Sequence, residues 1–243
     1  MRLFITNFFY NKNIQTLIYL VFSSYFFLQY LGPDTNPGDN GDGKSFIGLL
    51  ETLFLAFSTN EISIFQTFHL YPFKDNLWFS DTHFGVAWIY VIFRYLNFDI
   101  YTSYKFLFFI TFIANFYSCY YCCKYLQVSQ SSSLFASLFF TFGFPIIAQD
   151  SHYVLLIRAY VPICIILIFD YFKTQDNKNI IYFTIFFFLQ LISSTYVSIF
   201  LLVMTLITIS IFIKKKSDRF ILGLKDQFNT IIEKTTILQL FIF

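Results

Sequence analysis

The chain has 243 residues, of which 57% are hydrophobic, 24% aromatic and only 12% charged. Soluble domains carry about twice that share of charged residues, and 38 Phe with 18 Tyr would leave a soluble globule with a large exposed apolar surface. The formal net charge of +2 is too small to indicate nucleic-acid binding. The composition excludes an ordinary soluble domain and predicts an integral membrane protein.

The first apolar run covers residues 14–31 and follows Arg2 and Lys12. A charged flank before a hydrophobic core is typical of a signal peptide, but this run ends without the small residues of a cleavage site. It therefore predicts an uncleaved first span.

A long hydrophilic segment, residues 32–105, comes next and carries many of the acidic residues. Short surface helices are predicted over residues 45–57 and 62–68. Residues 85–96 are short for a span and contain Arg94. Their one-sided apolar pattern predicts a helix lying in the membrane interface, with a face formed by Trp88, Ile89, Ile92, Phe93 and Leu96.

Four further apolar runs cover residues 106–123, 134–148, 153–169 and 180–213. The last would be about 51 Å long as one helix, against a hydrocarbon core of about 30 Å. It is therefore predicted to break at Ser193-Ser194-Thr195 into a hairpin of two short helices.

The distribution of charge predicts the topology. Basic residues gather in the loops 124–131, 170–179 and 214–230, whereas residues 32–105 are acidic on balance. The predicted fold is an all-α polytopic transmembrane helical bundle of about six spans, with a long outer loop carrying short interfacial helices. Its N-terminus is predicted in the cytoplasm, with residues 32–105, the turn 148–153 and the Ser193 break outside.

Residues 1–213 are predicted to form one transmembrane module, followed by a cytoplasmic segment over residues 214–243. Residues 237–243 begin another apolar run. We therefore expect an N-terminal fragment of a longer membrane protein.

Asp39 and Asp42 follow the first span in a turn rich in Gly and Pro. Carboxylates at the lip of a membrane helix could act as a general base on an acceptor hydroxyl, or hold a divalent cation against a phosphate. The alternative is a solvated acidic turn. Metal dependence stays open.

Two further polar clusters are predicted on the same face: Asp81 with His83, and Asp150 with His152. The first pair could share a proton or a metal, and its alternative is capping of the following helix by Asp81 or Thr82. The second pair is a candidate site because ionisable groups at that depth need a partner or water, and its alternative is helix-end capping by Asp150. Arg158 lies inside the next apolar run, where a buried arginine needs an anionic phosphate or a carboxylate as its partner. Its alternative is snorkelling to the interface.

The cysteines Cys119, Cys122, Cys123 and Cys164 lie in apolar runs with no histidine or acidic cluster beside them. They are predicted to be reduced and buried.

Several short motifs occur in a fixed order: Pro37-Gly38-Asp39-(x2)-Asp42, Tyr71-Pro72-(x6)-Phe79-Ser80-Asp81, Phe142-Gly143-Phe144-Pro145, Ala148-Gln149-(x2)-His152 and Leu189-Gln190-Leu191-Ile192-Ser193-Ser194-(x)-Tyr196. Over residues 14–213 this order resembles bacterial membrane proteins of the glycosyltransferase C superfold. That group includes oligosaccharyl-, mannosyl- and aminoarabinose transferases.

The resemblance implies transfer of a sugar from a polyprenyl-phosphate donor to an extracytoplasmic acceptor, in the bacterial cytoplasmic (inner) membrane. It implies Asp39 or Asp42 as the catalytic base, with Asp39 favoured. Asp150 and His152 would bind the donor phosphate or the acceptor, with Arg158 as counter-charge. Relatives usually have more spans and an outer C-terminal domain.

The alternative is a non-enzymatic polytopic protein, such as a flippase-like or channel-like component or a partner subunit. A transporter is expected to carry ionisable residues in the middle of several spans. Here Arg158 is nearly alone there, because Lys105 and Asp170 are expected at span ends. The pattern favours the enzyme.

Overall fold

The computed structural model describes residues 17, 19, 21, 22, 42–59, 62–66, 82–143 and 152–215, without the side chains of residues 213–215. Within these ranges the chain consists of helices and turns and has no strand. The helices in chain order are α1 (Asp42–Thr59), α2 (Phe84–Tyr95), α3 (Ile100–Tyr125), α4 (Gln130–Phe142), α5 (Tyr153–Leu156), α6 (Tyr160–Thr174), α7 (Asn177–Leu191) and α8 (Thr195–Lys215). The predicted all-α class is confirmed for the described residues.

Three helical segments are long and apolar enough to cross a membrane: Ile100–Tyr125, Tyr153–Thr174 and Thr195–Phe212. They correspond to predicted spans, the last to the second helix of the hairpin predicted over residues 180–213. Helices α4 and α7 have 13 and 15 residues. Of the predicted first span the structure describes residues 17, 19, 21 and 22, which are helical. The chain thus has the helices of a membrane protein, and the count of six spans stays a prediction.

The predicted break near Ser193 is confirmed, because α7 ends at Leu191 and α8 begins at Thr195. The backbone amides of Ser193 and Ser194 donate to the carbonyl of Gln190, at 3.1 and 2.8 Å. The turn thereby satisfies the Gln190 carbonyl, one of the last carbonyls of α7.

The chain divides into two compact units between Ile199 and Phe200, within α8. In the second unit, most apolar side chains of α8 from Phe200 to Ile211 are exposed. Such a surface suits contact with lipid rather than with water.

The predicted span over residues 153–169 is interrupted, which the sequence analysis missed. Helix α5 ends at Leu156, and Ile157, Arg158 and Ala159 separate it from α6. The physical reason is Pro162. A proline lacks the N–H that would donate to the carbonyl four residues earlier, here that of Arg158, and its ring clashes with that carbonyl.

Helix α3 and the segment formed by α5 and α6 lie side by side and run in the same direction. Thr111 and Tyr153 share a hydrogen bond of 2.6 Å between their hydroxyls. Further along, the Tyr125 hydroxyl donates to the carboxylate of Asp170. The two pairs are separated by 42 and 45 residues along the chain, so the two segments keep a nearly constant offset. Their C-terminal ends lie at the same end of the bundle, as the predicted topology requires.

Helices α1, α2 and the first half of α3 pack together into what we call the three-helix layer. Helix α2 runs antiparallel to α3, since only four residues connect them, and Phe93 stacks on Phe106 with ring centroids 4.4 Å apart. The buried residues of the layer form one core with α5: Ile47, Leu49, Leu50, Leu53, Val86, Ala87, Ile89, Tyr90, Tyr104, Leu107, Phe108, Phe112, Tyr153, Leu156 and Ile157.

Helix α2 was expected to lie flat along the membrane interface, but it packs lengthwise against α3. On the predicted apolar face, Trp88, Ile92 and Leu96 are exposed, whereas Ile89 is buried. The cause is packing on two sides, by α1 and α3. A helix that runs along the candidate span Ile100–Tyr125 does not fit the expected position in the membrane plane.

Other helix boundaries in the structure also differ from the predicted ones. Helix α1 includes the predicted residues 45–57, whereas residues 62–66 form turns instead of the expected helix. Helix α4 begins at Gln130, where a turn was expected, because the Ser129 hydroxyl caps it by accepting from the amide of Ser132.

Helix α3 starts at Ile100, six residues before the predicted span, because Asp99 caps it. The Asp99 carboxylate accepts from the amides of Tyr101 and Thr102, both at 3.0 Å, and the hydrogen bonds from Thr102 hold the pKa of Asp99 below its usual value. Lys105, expected at a span end, is consequently buried within α3.

Arg94 is held by an ion pair that joins α1 to α2. Its Nε and Nη2 atoms donate to the two carboxylate oxygens of Glu51, at 2.9 and 2.8 Å, and its Nη1 donates to the Phe98 carbonyl at 2.6 Å. The Tyr90 hydroxyl also donates to Glu51, at 2.5 Å. The hydrogen bond with Glu51 raises the pKa of Arg94, and burial raises that of Tyr90. Both side chains therefore stay protonated as donors.

We expect Glu51→Gln and Arg94→Gln each to lower the free energy of unfolding by about 1–3 kcal/mol, because each leaves a partly buried partner unpaired. The double variant should cost less than the sum of the two. Denaturant titration in detergent measures this cycle, with Lys44→Gln as an exposed control on α1. Additive effects would contradict the ion pair.

Gly85 lets α2 approach the end of α7 closely. Its amide donates to the Ile192 carbonyl at 3.2 Å, and the Thr82 hydroxyl donates to the same carbonyl at 3.0 Å. A Cβ on Gly85 would lie 1.8 Å from the Ser193 Oγ and 2.7 Å from the Leu189 carbonyl oxygen. The backbone oxygen cannot turn away as a flexible side chain could, so the position requires glycine.

We expect Gly85→Ala to lower the free energy of unfolding by about 1–3 kcal/mol through this overlap. Thermal unfolding in detergent can be followed by the reaction of a thiol-specific dye with the buried Cys122 and Cys164. Ile92→Ala, at an exposed position of the same helix, should unfold close to the wild-type temperature. A Gly85→Ala protein as stable as the wild type would contradict the close packing.

Candidate functional site

Asp42 and His152 meet at the start of the three-helix layer. Asp42 is the first residue of α1, and His152 directly precedes α5. The His152 Nε2 lies 3.1 Å from the Asp42 Oδ2, and the side chains are 49% and 56% exposed. An exposed pair of this kind contributes little to stability, but it is open to a ligand. Two predicted clusters from distant parts of the sequence are thus brought together.

His83 contacts α1, the helix that begins at Asp42, and is not open to solvent. It directly precedes α2 with a left-handed backbone (φ 55°) and is buried. Its ring meets that of Phe46, one turn after Asp42, edge to face at 5.1 Å. His83 therefore packs beneath the first turn of α1. Of the two residues considered as caps of α2, Thr82 does not cap it, since its hydroxyl donates to the Ile192 carbonyl instead, and Asp81 lies outside the described residues.

Arg158 lies in the break between α5 and α6, and its side chain turns towards the end of α4. Its Nη2 donates to the Phe140 carbonyl at 2.8 Å, and its guanidinium lies 4.8 Å from the centre of the Phe140 ring. The last carbonyls of a helix need donors and attract a positive charge. The described partner of Arg158 is thus a helix end rather than the carboxylate expected, while its buried Nε has no hydrogen-bond partner among the described residues.

Two buried amide side chains, which the sequence analysis did not single out as site residues, hold the broken backbone. Asn115 donates to the Leu156 carbonyl at 2.7 Å and accepts from the Arg158 amide at 3.1 Å. Gln190 donates to the Ile157 carbonyl at 2.8 Å. Both are fully buried. Amides inside apolar runs were the signal for them, because such residues need a polar partner at membrane depth.

Asp39, Asp81 and Asp150 lie outside the described residues, so their predicted roles stay predictions. In the ranges that the structure does describe, no three His, Cys, Asp or Glu side chains are grouped to hold a metal. The four cysteines are free thiols. Cys122 and Cys164 are buried, and Cys119 and Cys123 are half-buried.

No protein-family model, curated protein or solved structure matches this chain.

Gln190→Leu should lower the free energy of unfolding by about 1–3 kcal/mol, because the buried Ile157 carbonyl loses its donor. Thr184→Val is a matched control on α7, since the exposed Thr184 hydroxyl donates within its own helix, to the Ile180 carbonyl. Retention of folded protein after heating in detergent, measured by size exclusion, compares the two. Equal losses would contradict the bracing role of Gln190.

Proposed function

We propose that this chain is a membrane glycosyltransferase module that moves a sugar from a polyprenyl-phosphate donor to an acceptor outside the cytoplasm. The observation that supports it most is the exposed Asp42–His152 pair. A carboxylate and an imidazole side by side can take a proton from one reactant and contact the charge that develops on the other.

His152 directly precedes the candidate span Tyr153–Thr174, so a lipid-borne donor would approach the pair from the start of that span. The starts of α1 and α2 lie side by side, because Phe46 on α1 contacts His83, which directly precedes α2. Asp42 is the first residue of α1. At this level Gly85 meets the end of α7, which packs along the candidate span containing α6. A phosphate carried by a lipid lies near the ends of the spans, and the start of α1 offers it the positive end of a helix of 18 residues.

In the proposed reaction, the Asp42 carboxylate accepts the proton of the acceptor hydroxyl. The hydroxyl oxygen then bonds to the anomeric carbon of the sugar, and the bond from that carbon to the phosphate oxygen breaks. Polyprenyl phosphate leaves with the electron pair, and the His152 N–H contacts its negative charge. Asp39, the base favoured from the sequence, remains an alternative for the first step. A divalent cation at the phosphate would be compatible with these roles.

Asp42→Asn and His152→Gln should each lower sugar transfer by about 100-fold or more, the usual cost of losing a general base or a charge-stabilising group. The probe is a panel of farnesyl phosphate-linked hexoses added to the protein in vesicles, with release of farnesyl phosphate as the readout. Asp39→Asn is measured in parallel to assign the base. Asp176→Asn, at the cap of α7, is a control that should retain activity.

Absence of release by the wild-type protein with every donor, or full activity in all three site variants, would reject the proposal.

A second candidate, a flippase-like membrane component, is favoured by one observation. The break between α5 and α6 is the kind of discontinuous helix on which transporters build their sites. Movement of the farnesyl-linked hexose across the vesicle without its cleavage would support that candidate.

A further inference from the structure

The single-turn helix α5 is held by polar contacts from one face of α3. The hydroxyls of Thr111 and Tyr153 share a hydrogen bond of 2.6 Å at the first residue of α5. One turn further along α3, the Asn115 side chain donates to the Leu156 carbonyl at 2.7 Å and accepts from the Arg158 amide at 3.1 Å. Residues four apart lie on the same face of a helix. This face of α3 thus fixes both ends of the turn.

The contacts lie in a tightly packed part of the core. Thr111, Asn115 and Tyr153 are buried, and the Tyr153 ring packs against those of Tyr104 and Phe108, with centroids 5.9 and 4.6 Å away. Hydrogen bonds are stronger in such surroundings than in water. A helix of four residues has almost no stability of its own, because isolated helices shorter than about 12 residues are marginal in water. The position of α5 therefore depends on α3.

His152 takes its position from α5. It directly precedes Tyr153, so the two Cα atoms are about 3.8 Å apart, and its carbonyl accepts from the Leu155 amide at 2.9 Å. The contact between His152 and Asp42 cannot hold this position by itself, because both side chains are about half exposed and an exposed pair contributes little to stability. The 3.1 Å between the His152 Nε2 and the Asp42 Oδ2 is thus a consequence of how the two backbones are held.

We propose that Thr111 and Asn115 are positioning residues of the candidate site, which place His152 against Asp42 through α5. A base and a charge-stabilising group act only at defined distances from the reacting atoms, and a displacement of about 1 Å can lower a rate by about 100-fold. Loss of the contacts with α5 therefore lowers transfer although Asp42 and His152 are both still present. The effect on transfer rests on the proposed function, whereas the effect on the geometry of the pair does not.

The geometry can be measured without a substrate. In an Asp42→Cys/His152→Cys protein, a short bifunctional methanethiosulfonate bridges the two thiols when they are close and otherwise caps each one separately. Such a reagent is needed because a direct disulfide requires Cα atoms within about 7 Å. Mass spectrometry of the peptides gives the ratio of bridged to capped product. Tyr153→Phe and Asn115→Leu should each lower this ratio by about threefold or more, the change in population that one net hydrogen bond allows.

Tyr153→Phe separates positioning from stability. The Thr111 hydroxyl can then donate to a carbonyl of its own helix, as the Thr52 hydroxyl does, so that no buried group is left unpaired. Ser118→Ala is the matched control, because this buried hydroxyl of α3 donates within its own helix, to the Asn115 carbonyl. It should leave the ratio unchanged.

Sugar transfer is measured in the chain that keeps Asp42 and His152, with the same farnesyl phosphate-linked hexoses in vesicles. Thr111→Val and Asn115→Leu should lower the release of farnesyl phosphate by about 10-fold or more. Thr111→Ser keeps the hydroxyl and should retain both the release and the bridging ratio.

An unchanged bridging ratio in Tyr153→Phe and Thr111→Val, or an equal fall in Ser118→Ala, would overturn the proposal. These variants decide the question if Asn115→Leu does not fold. A lower ratio with undiminished transfer would overturn the role in catalysis. Absence of transfer by the wild-type protein would count against the proposed function alone, because the bridging ratio does not depend on catalysis.

Discussion

Lipid supplies no hydrogen bonds, and this constraint governs the arrangement around the break between α5 and α6. Ile157, Arg158 and Ala159 leave backbone groups that no regular helix satisfies. Asn115 from α3 and Gln190 from α7 reach these groups. The amides therefore tie three elements together at one level. A broken helix at this depth is stable because its neighbours replace the missing helical bonds.

The same constraint explains how the chain accommodates its cations. Arg158 satisfies a carbonyl at the end of α4, and Arg94 is paired with Glu51. Each guanidinium donates to an acceptor within the chain. The apolar surfaces beside them, on α2 and α7, remain free of charge.

The starts of α1 and α2 lie in the same region, and this determines the electrostatic potential of the candidate site. Helix α1 begins at Asp42, α2 begins just after His83, and α5 begins just after His152. Asp42 contacts His152, and Phe46 contacts His83. Beginnings of helices carry partial positive charge, so the region is suited to anionic groups. His152 is open to solvent, whereas the buried His83 packs against Phe46 on α1.

Much of the helical framework was predictable from hydrophobic runs, including the helix over residues 45–57 and the break at Ser193-Ser194. The predicted topology placed Asp42 and His152 on the same face, but no local pattern predicted their contact. What could not be predicted depended on partners distant in sequence. The acceptor for Arg94 is Glu51, and the donors for the broken backbone are Asn115 and Gln190, none of which local periodicity identifies. Pro162 indicated the break at Ile157–Ala159, but the long apolar run around it favoured one continuous span.

The constant offset between α3 and the α5–α6 segment limits how the length of the chain can vary. One residue inserted in α3 between Asn115 and Tyr125 would rotate everything beyond it by about 100° about the helix axis. Tyr125 would then point away from Asp170 while Asn115 still held the broken backbone. Insertions are therefore better accommodated in the turn over residues 126–129, where no such register is shared. Related sequences should vary in length at that turn and keep the number of residues between Asn115 and Tyr125.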